Sequence, residues 1–283
     1  MKLIECPRDA MQGLAHFVPT ELKIRYLNTL LRVGFDTLDF GSFVSPKAIP
    51  QMRDTAEVLA GLDLTQSRTQ LLAIVANLRG AEQAAGFSSI RYIGFPLSVS
   101  ETFQQRNTNK SIEQAFAEVA QIQTLCTATD KQLVVYLSMG FGNPYGDPYS
   151  PERVGSFTGQ LAELGIRIVA PSDTVGTSTP EAIEQLFTHL INTFPQLEFG
   201  AHLHALPGQA PAKVQAALRA GVRRIDGALR GYGGCPMAAE SLTGNLPTED
   251  ILAVLRDDEE LKPAIDEVAL QDAFRLANEV FGA

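Results

Sequence analysis

Two of the chain's four histidines stand one residue apart, in Ala201-His202-Leu203-His204. Side chains of a strand alternate between its two faces, so His202 and His204 point the same way. Two imidazoles on one face suit a single metal ion, and a nearby carboxylate would add an oxygen ligand. Asp9 is such a carboxylate, in Pro7-Arg8-Asp9 just after the first apolar run. Mixed imidazole and carboxylate ligands with open positions fit a catalytic divalent cation such as Mg2+, Mn2+, Zn2+ or Co2+. A His-x-His pair alone also occurs as ordinary polar residues at a strand end; the aspartate is what points to metal chemistry. Arg8 is either a surface ion-pair partner of Asp9, worth little, or a fixed cation beside the metal that stabilises a developing oxyanion.

Residues so far apart in the chain need a fold that brings strand ends together. Short apolar, β-branched runs predict strands at 3–6, 35–40, 70–75, 89–95, 132–138, 166–170, 197–203 and 222–227. Amphipathic stretches between them predict helices at 20–33, 111–128, 151–164, 180–193 and 209–220, with two more in the tail at 248–256 and 263–281. Pro19-Thr20, Ser150-Pro151 and Thr179-Pro180 are helix starts, and Gly34, Gly165 and Gly221 are helix stops. Strands alternating with helices over somewhat more than about 250 residues predict an α/β fold, a (β/α)8 TIM barrel with additional C-terminal helices. A doubly wound open sheet is the alternative, but the first strand runs into Pro7-Arg8-Asp9-Ala10-Met11-Gln12 rather than a glycine-rich phosphate loop. No linker or composition shift divides the chain, so residues 1–283 read as one catalytic domain.

A barrel carries its catalytic groups at the C-terminal ends of its strands. Asp39 ends the second strand, Tyr136 and Ser138 end the fifth, Asp173 follows the sixth, and His202 and His204 end the seventh. Cys235 and Asn245 lie in the loop after the eighth. In the seventh strand Leu197, Phe199, Ala201 and Leu203 form the apolar face, leaving Gly200, His202 and His204 inward. Asp39, at the end of an apolar strand, needs a partner or a shifted pKa. Asp173 in Asp173-Thr174-Val175-Gly176 is a helix-side turn or a group orienting a ligand. Cys235, after Gly231-Tyr232-Gly233-Gly234, is a small turn residue or a thiol on a mobile lid.

The rest of the composition narrows the field. A net charge of −9 with no long basic run argues against nucleic acid. No apolar run reaches the roughly 18 residues of a membrane span, and no targeting segment is evident, so a cytoplasmic protein without membrane contact is expected. Three cysteines without metal-type spacing exclude a disulfide scaffold.

The motifs resemble those of 3-hydroxy-3-methylglutaryl-CoA lyases, within a metal-dependent barrel superfamily that also holds isopropylmalate and citramalate synthases. Arg8-Asp9-Ala10-Met11-Gln12 is similar to the family's Arg-Asp-Gly-Leu-Gln, and Ser42-Phe43-Val44-Ser45-Pro46-Lys47 to a segment typical of the lyases. Asn77-Leu78-Arg79-Gly80, Asn107-Thr108-Asn109-Lys110-Ser111, Asp173-Thr174-Val175-Gly176, His202-Leu203-His204, Gly233-Gly234-Cys235-Pro236 and Gly244-Asn245-Leu246-Pro247 match as well. The resemblance implies metal-dependent retro-Claisen cleavage of an acyl-CoA, 3-hydroxy-3-methylglutaryl-CoA, to acetoacetate and acetyl-CoA. It implies Asp9, His202, His204 and Asn245 as metal ligands, with Mg2+ or Mn2+ foremost. It implies Arg8, Asp173, Cys235 and Asp39 as catalytic groups, Gln12, Tyr136 and Glu249 at the substrate, and a homodimer.

The chain also departs from the family. Asp39 stands in place of a glutamate, Ala10 in place of a glycine, and Ala15 in place of a lysine. After His204 comes Ala205-Leu206-Pro207-Gly208 instead of a polar Asp-Thr/Asn-x-Gly, which alters support of the histidine. A related lyase on another 3-hydroxyacyl-CoA, a Claisen-type synthase and a catalytically silent metal-binding barrel are the other readings.

Overall fold

The structure is a computed structural model that describes residues 1–234 and 243–282. In chain order its elements are β1 (Lys2–Glu5), α1 (Pro7–Gln12), α2 (Thr20–Val33), β2 (Thr37–Ser42), α3 (Thr55–Ala60), β3 (Gln70–Ile74), α4 (Leu78–Ala85) and β4 (Ile90–Ser98). They continue with α5 (Glu101–Thr108), α6 (Ile112–Ala128), β5 (Gln132–Ser138), α7 (Pro151–Glu163), β6 (Ile168–Asp173), α8 (Pro180–Thr193), β7 (Glu198–Leu203), α9 (Ala210–Arg219), β8 (Arg224–Gly227), α10 (Thr248–Leu255) and α11 (Glu267–Phe281). Each strand pairs in parallel with the next, and β8 closes on β1 through Lys2–Arg224, Leu3–Ile225, Ile4–Asp226 and Glu5–Gly227. The expected eight-stranded barrel with C-terminal helices is therefore what forms.

Local chemistry explains most boundaries. Ser150 and Thr179 accept hydrogen bonds from the backbone N–H groups of Arg153 and Ala182, and Ser111 forms a reciprocal capping box with Gln114. Thr20 is the first helical residue, as expected, and its hydroxyl donates to Asp54 at 2.9 Å. β2 runs two residues past its expected end, to Ser42, and two further strands outrun theirs through prolines. β4 continues past residue 95 through Pro96, and β6 continues past residue 170 through Pro171. Proline lacks an N–H, so it reads as a strand stop. Here the parallel ladder tolerates the gap: β6 pairs with β7 at Val169–Phe199 and resumes at Ser172–His202.

Alternation along the strands sorts the core into two layers. Leu72, Tyr92, Val134, Tyr136, Ile168 and Ala170 fill the barrel interior. The outward faces and the surrounding helices make the larger core, in which Phe199, Ala201 and Leu203 of β7 pack as expected. α11 lies on α2, with Tyr26 edge-on to Phe281 at 6.2 Å, and Phe281 also stacks on Tyr232 at 4.3 Å. The C-terminal helix thus anchors the start of the loop that follows β8. No helix among the described residues is long and apolar enough to cross a membrane.

Glu5 fastens the other side of that loop. It is fully buried, and its carboxylate accepts from the Leu229 N–H at 2.8 Å and the Thr248 hydroxyl at 2.5 Å. Burial pushes its pKa up to about 8, against the pull of these two bonds. A carboxyl group whose folded pKa is raised stabilises the fold fully below its unfolded value, near 4.5, and loses that contribution as pH climbs through about 8. Glu5→Gln keeps an acceptor for Leu229 and offers a donor to Thr248 without a titrating proton. Its melting temperature should match the wild type near about pH 5 and exceed it by several degrees near about pH 9. Parallel pH profiles of melting temperature for the two proteins would refute this account of Glu5.

Candidate active site

α1 begins directly after β1, with Pro7 at its first turn, and this short helix lays Arg8, Asp9 and Gln12 over the barrel mouth. Arg8 is buried, and all three nitrogens of its guanidinium are engaged, with one Nη2 N–H left over. Nε and Nη2 clamp the Asp39 carboxylate, with Nε to Oδ2 at 3.0 Å and Nη2 to Oδ2 at 2.5 Å. Nη1 donates to Asp9 Oδ1 and to Gln12 Oε1, both at 3.0 Å. Gln12 in turn donates to Asp9 Oδ1 at 2.8 Å, and the Asn245 amide donates to Asp9 Oδ2 at 2.8 Å. A planar fork that reaches two carboxylates at once is a task for arginine and not for lysine.

The two carboxylates respond differently to this setting. Burial works to raise the Asp9 pKa, but Arg8 and the nearby His202 and His204 outweigh it and hold Asp9 at about 2. Burial raises Asp39 to about 6 despite the Arg8 clamp. At neutral pH Asp9 is therefore firmly an anion, while Asp39 lies close to the point where it takes a proton.

β7 presents His202 and His204 on its inward face, as the alternation requires. His202 Nδ1 lies 3.1 Å from Asp226 Oδ2, and His204 Nδ1 lies 2.8 Å from the Thr243 carbonyl. Both partners are acceptors, so each Nδ1 carries the ring proton. The two Nε2 atoms then face each other at 3.3 Å, with lone pairs that repel unless a positive charge sits between them. Ligand atoms of Asp9, His202 and His204 all lie within 4.8 Å of one another. An anionic oxygen and two convergent imidazole nitrogens, each ring held from behind, fit a divalent cation. The electrostatics agree. Burial disfavours charge on His202, but Asp226 and Asp9 raise its pKa, whereas burial and the neighbouring His202 lower that of His204. Of the two rings, His202 is thus the one that takes a proton first.

Asn245 completes the group: β-bridge pairing with His204 brings it to Asp9, and its amide also donates to the Tyr232 carbonyl at 2.9 Å. This leaves its carbonyl oxygen free of those two bonds. Gly233, at φ +99°, closes over the cluster. A Cβ there would come within 2.7 Å of the Asn245 amide nitrogen and 2.9 Å of the Asp9 carbonyl oxygen, so no larger residue fits.

The remaining expected residues fall outside this cluster. Tyr136 lines the interior beneath the pair, edge-on to the His202 ring at 5.4 Å, and burial pushes its hydroxyl pKa up. Glu249 accepts from the Arg230 N–H at 3.0 Å, bracing the loop after β8. Asp173 is the last residue of β6, and its register partner is Leu203, on the helix-facing side; it is Ser172 that pairs with His202. Its carboxylate is occupied by the Thr177 and Ser178 N–H groups, the Ser178 hydroxyl and Lys213. Cys235 lies outside the described residues. Two supporting residues escape a reading of the sequence, Asp226 behind His202 and Lys213 behind Asp173. Asp226 had a signal in the alternation of β8, since it stands across the register from Ile4 on the inward face.

Comparison with known proteins places this geometry. The chain is 34% identical to the mitochondrial hydroxymethylglutaryl-CoA lyase of Mus musculus over 90% of its length and 78% of that protein. It is 33% identical to a 3-hydroxy-3-isohexenylglutaryl-CoA/hydroxymethylglutaryl-CoA lyase of Pseudomonas aeruginosa, over 96% of this chain and 90% of that one. An HMG-CoA lyase from Acinetobacter baumannii, solved with coenzyme A and 3-methylmalate, superposes with a TM-score of 0.90 at 31% identity, covering 99% of this chain and 90% of that one. The HMGL-like family model matches residues 3–280, and on that match the chain belongs to the HMGL-like family.

Proposed function

We infer that this protein is a carbon–carbon lyase that splits 3-hydroxy-3-methylglutaryl-CoA into acetoacetate and acetyl-CoA, using a divalent cation held by Asp9, His202, His204 and Asn245. The observation that carries the reading is the convergence of the two Nε2 atoms and Asp9 beside the Arg8–Asp39 pair. Similarity to hydroxymethylglutaryl-CoA lyases over most of the chain supports the substrate. Mg2+ or Mn2+ suits the two oxygen ligands, and Zn2+ or Co2+ suits the imidazoles.

The reaction requires three changes. The tertiary hydroxyl loses its proton, and its oxygen becomes the ketone of acetoacetate. The bond from the carbinol carbon to the methylene beside the thioester breaks, and its electron pair passes to that methylene. A proton is then added there to give acetyl-CoA. When bound, a divalent cation supplies Lewis-acid polarisation of the hydroxyl and carboxylate oxygens. Arg8 brings a fixed positive charge to the thioester oxygen as enolate character develops. Asp39, with its pKa near 6, receives the hydroxyl proton. The Cys235 thiol, on the loop that Gly233 leads into, protonates the methylene, and exchange with solvent returns the Asp39 proton to the thiolate. Asp173, with its four donors, serves the frame of the site; Gln12 steadies Asp9, and Tyr136 and Glu249 shape the floor and rim.

Purified protein incubated with Mg2+ or Mn2+ and 3-hydroxy-3-methylglutaryl-CoA should release acetoacetate. No acetoacetate with either metal overturns the substrate, and cleavage of a different 3-hydroxyacyl-CoA would retain the reaction class alone. Cys235→Ala should bind metal as the wild type does while kcat falls by roughly 10^2- to 10^4-fold, the range for loss of a general acid. Full kcat in that variant removes the thiol from the mechanism.

A further inference from the structure

The loop after His204 lacks the polar residues the family carries there, yet His204 is not left without support. Lys213, on α9, is 2% exposed and reaches back under the end of β7. Its ammonium has three protons and three acceptors: the His204 carbonyl at 2.7 Å, Asp173 Oδ2 at 2.8 Å and the Gly176 carbonyl at 3.1 Å. No donor is left over, and a buried ammonium is retained only when satisfied in this way.

The three acceptors belong to two segments that must stay in register. His204 O is the backbone of the imidazole itself. Asp173 and Gly176 form the turn after β6, and Gly176 packs on Thr243, where a Cβ on the glycine would meet the threonine Cγ2 at 2.4 Å. The Thr243 hydroxyl donates to the Val175 carbonyl at 3.3 Å, and the Thr243 carbonyl is the acceptor for His204 Nδ1. A closed circuit results. It runs from Lys213 to the turn, from the turn to Thr243, from Thr243 to the His204 ring, and from the His204 carbonyl back to Lys213.

We propose that Lys213 is a positioning residue for His204: by tying the β6 turn to the β7 backbone it sets the Thr243 carbonyl against Nδ1, which keeps the ring proton there and leaves Nε2 free as a metal ligand. Lys213 stands in for the polar support that Ala205-Leu206-Pro207 does not provide. Asp173 belongs to the same device, as the counter-charge that makes a buried lysine tolerable. The proposal rests on the metal-binding reading of the site.

The test compares wild type with Lys213→Met, and with Lys213→Met/Asp173→Asn, in which no unpaired carboxylate is buried. Two readouts apply: titration of the apo proteins with Mn2+ by calorimetry, and 15N NMR of the imidazoles without metal. The wild type should bind Mn2+ and show His204 as the single Nδ1–H tautomer. The variants should bind Mn2+ roughly 10- to 100-fold more weakly, the usual loss for a residue behind a metal ligand, and show a mixture of His204 tautomers while the His202 signals hold. Wild-type affinity and an unchanged tautomer in a folded variant overturn the proposal. So does loss of the folded state in both variants, which would make Lys213 a residue of the fold alone. Failure of the wild type itself to bind Mn2+ would instead strike the metal-binding reading.

Discussion

His204→Ala should lose bound metal and lyase activity together. The substitution removes one of two Nε2 atoms that meet at 3.3 Å and leaves only His202 and Asp9 of the convergent trio. His202 cannot compensate, because its Nδ1 is committed to Asp226. One imidazole, the Asp9 carboxylate and the neutral Asn245 oxygen remain, too weak a set to hold a divalent ion against water. Metal content after dialysis should fall to near zero, and kcat/KM should drop by about 10^3-fold or more, since polarisation of the hydroxyl is lost with the ion. The fold should survive, because the ring's one bond to the protein frame is that to Thr243, worth about 1 kcal/mol. His189→Gln, on α8 and away from the mouth, should keep full metal and is the control. A His204→Ala protein with stoichiometric metal and wild-type turnover would remove the imidazole pair from the mechanism.

Arg8→Lys should separate charge from geometry. Lysine keeps the positive charge but has one nitrogen, where Arg8 uses three to hold Asp39, Asp9 and Gln12. Asp39 loses its bidentate hydrogen bonds, and with burial opposed by charge alone its pKa should rise further above about 6. Asp9 retains Gln12 and Asn245, so metal affinity should change by less than about tenfold. kcat should fall by roughly 10^2- to 10^3-fold with a smaller change in KM, as expected when a group aligned with the developing oxyanion is lost. The acid limb of the kcat profile should also move to higher pH, because a higher Asp39 pKa delays its ionisation as pH rises. Unchanged kcat, or a fall in metal affinity as large as that in kcat, would contradict the role given to Arg8. Arg8→Met is the harsher change: it leaves two buried carboxylates without their cation, and destabilisation of about 3–5 kcal/mol should accompany the loss of activity.

Much of this site is legible in one dimension because two local rules carry far. Strand alternation puts His202 and His204 on one face whatever the rest of the fold does. The start of α1 directly after β1 puts Arg8 and Asp9 at a strand end. The alternation of apolar runs with amphipathic stretches is enough for the barrel, and a barrel collects strand ends at one mouth. β4 and β6 run on through Pro96 and Pro171, past the apolar runs that predict them, because the parallel ladder tolerates the missing N–H. The extension matters for Asp173. Read as a loop residue it was free to face the mouth; as the last residue of a longer strand it points to the helices and meets Lys213.

The amino-acid sequence by itself determined the barrel, the imidazole pair and the Arg8–Asp9 step, because each follows from neighbours in the chain. The barrel reading put Asn245 at the mouth, but its role as a metal ligand came only through resemblance. Tertiary structure alone decided which groups stand behind the ligands: Asp226 behind His202, Thr243 and Lys213 behind His204, Asp39 under Arg8, and Glu5 beneath the loop after β8. Every one of these contacts joins different segments of the barrel, and most cross from one element to another far along the chain. A buried charge finds its partner by where the folded chain puts it, not by spacing, so its pairing becomes visible only when the strands are in register.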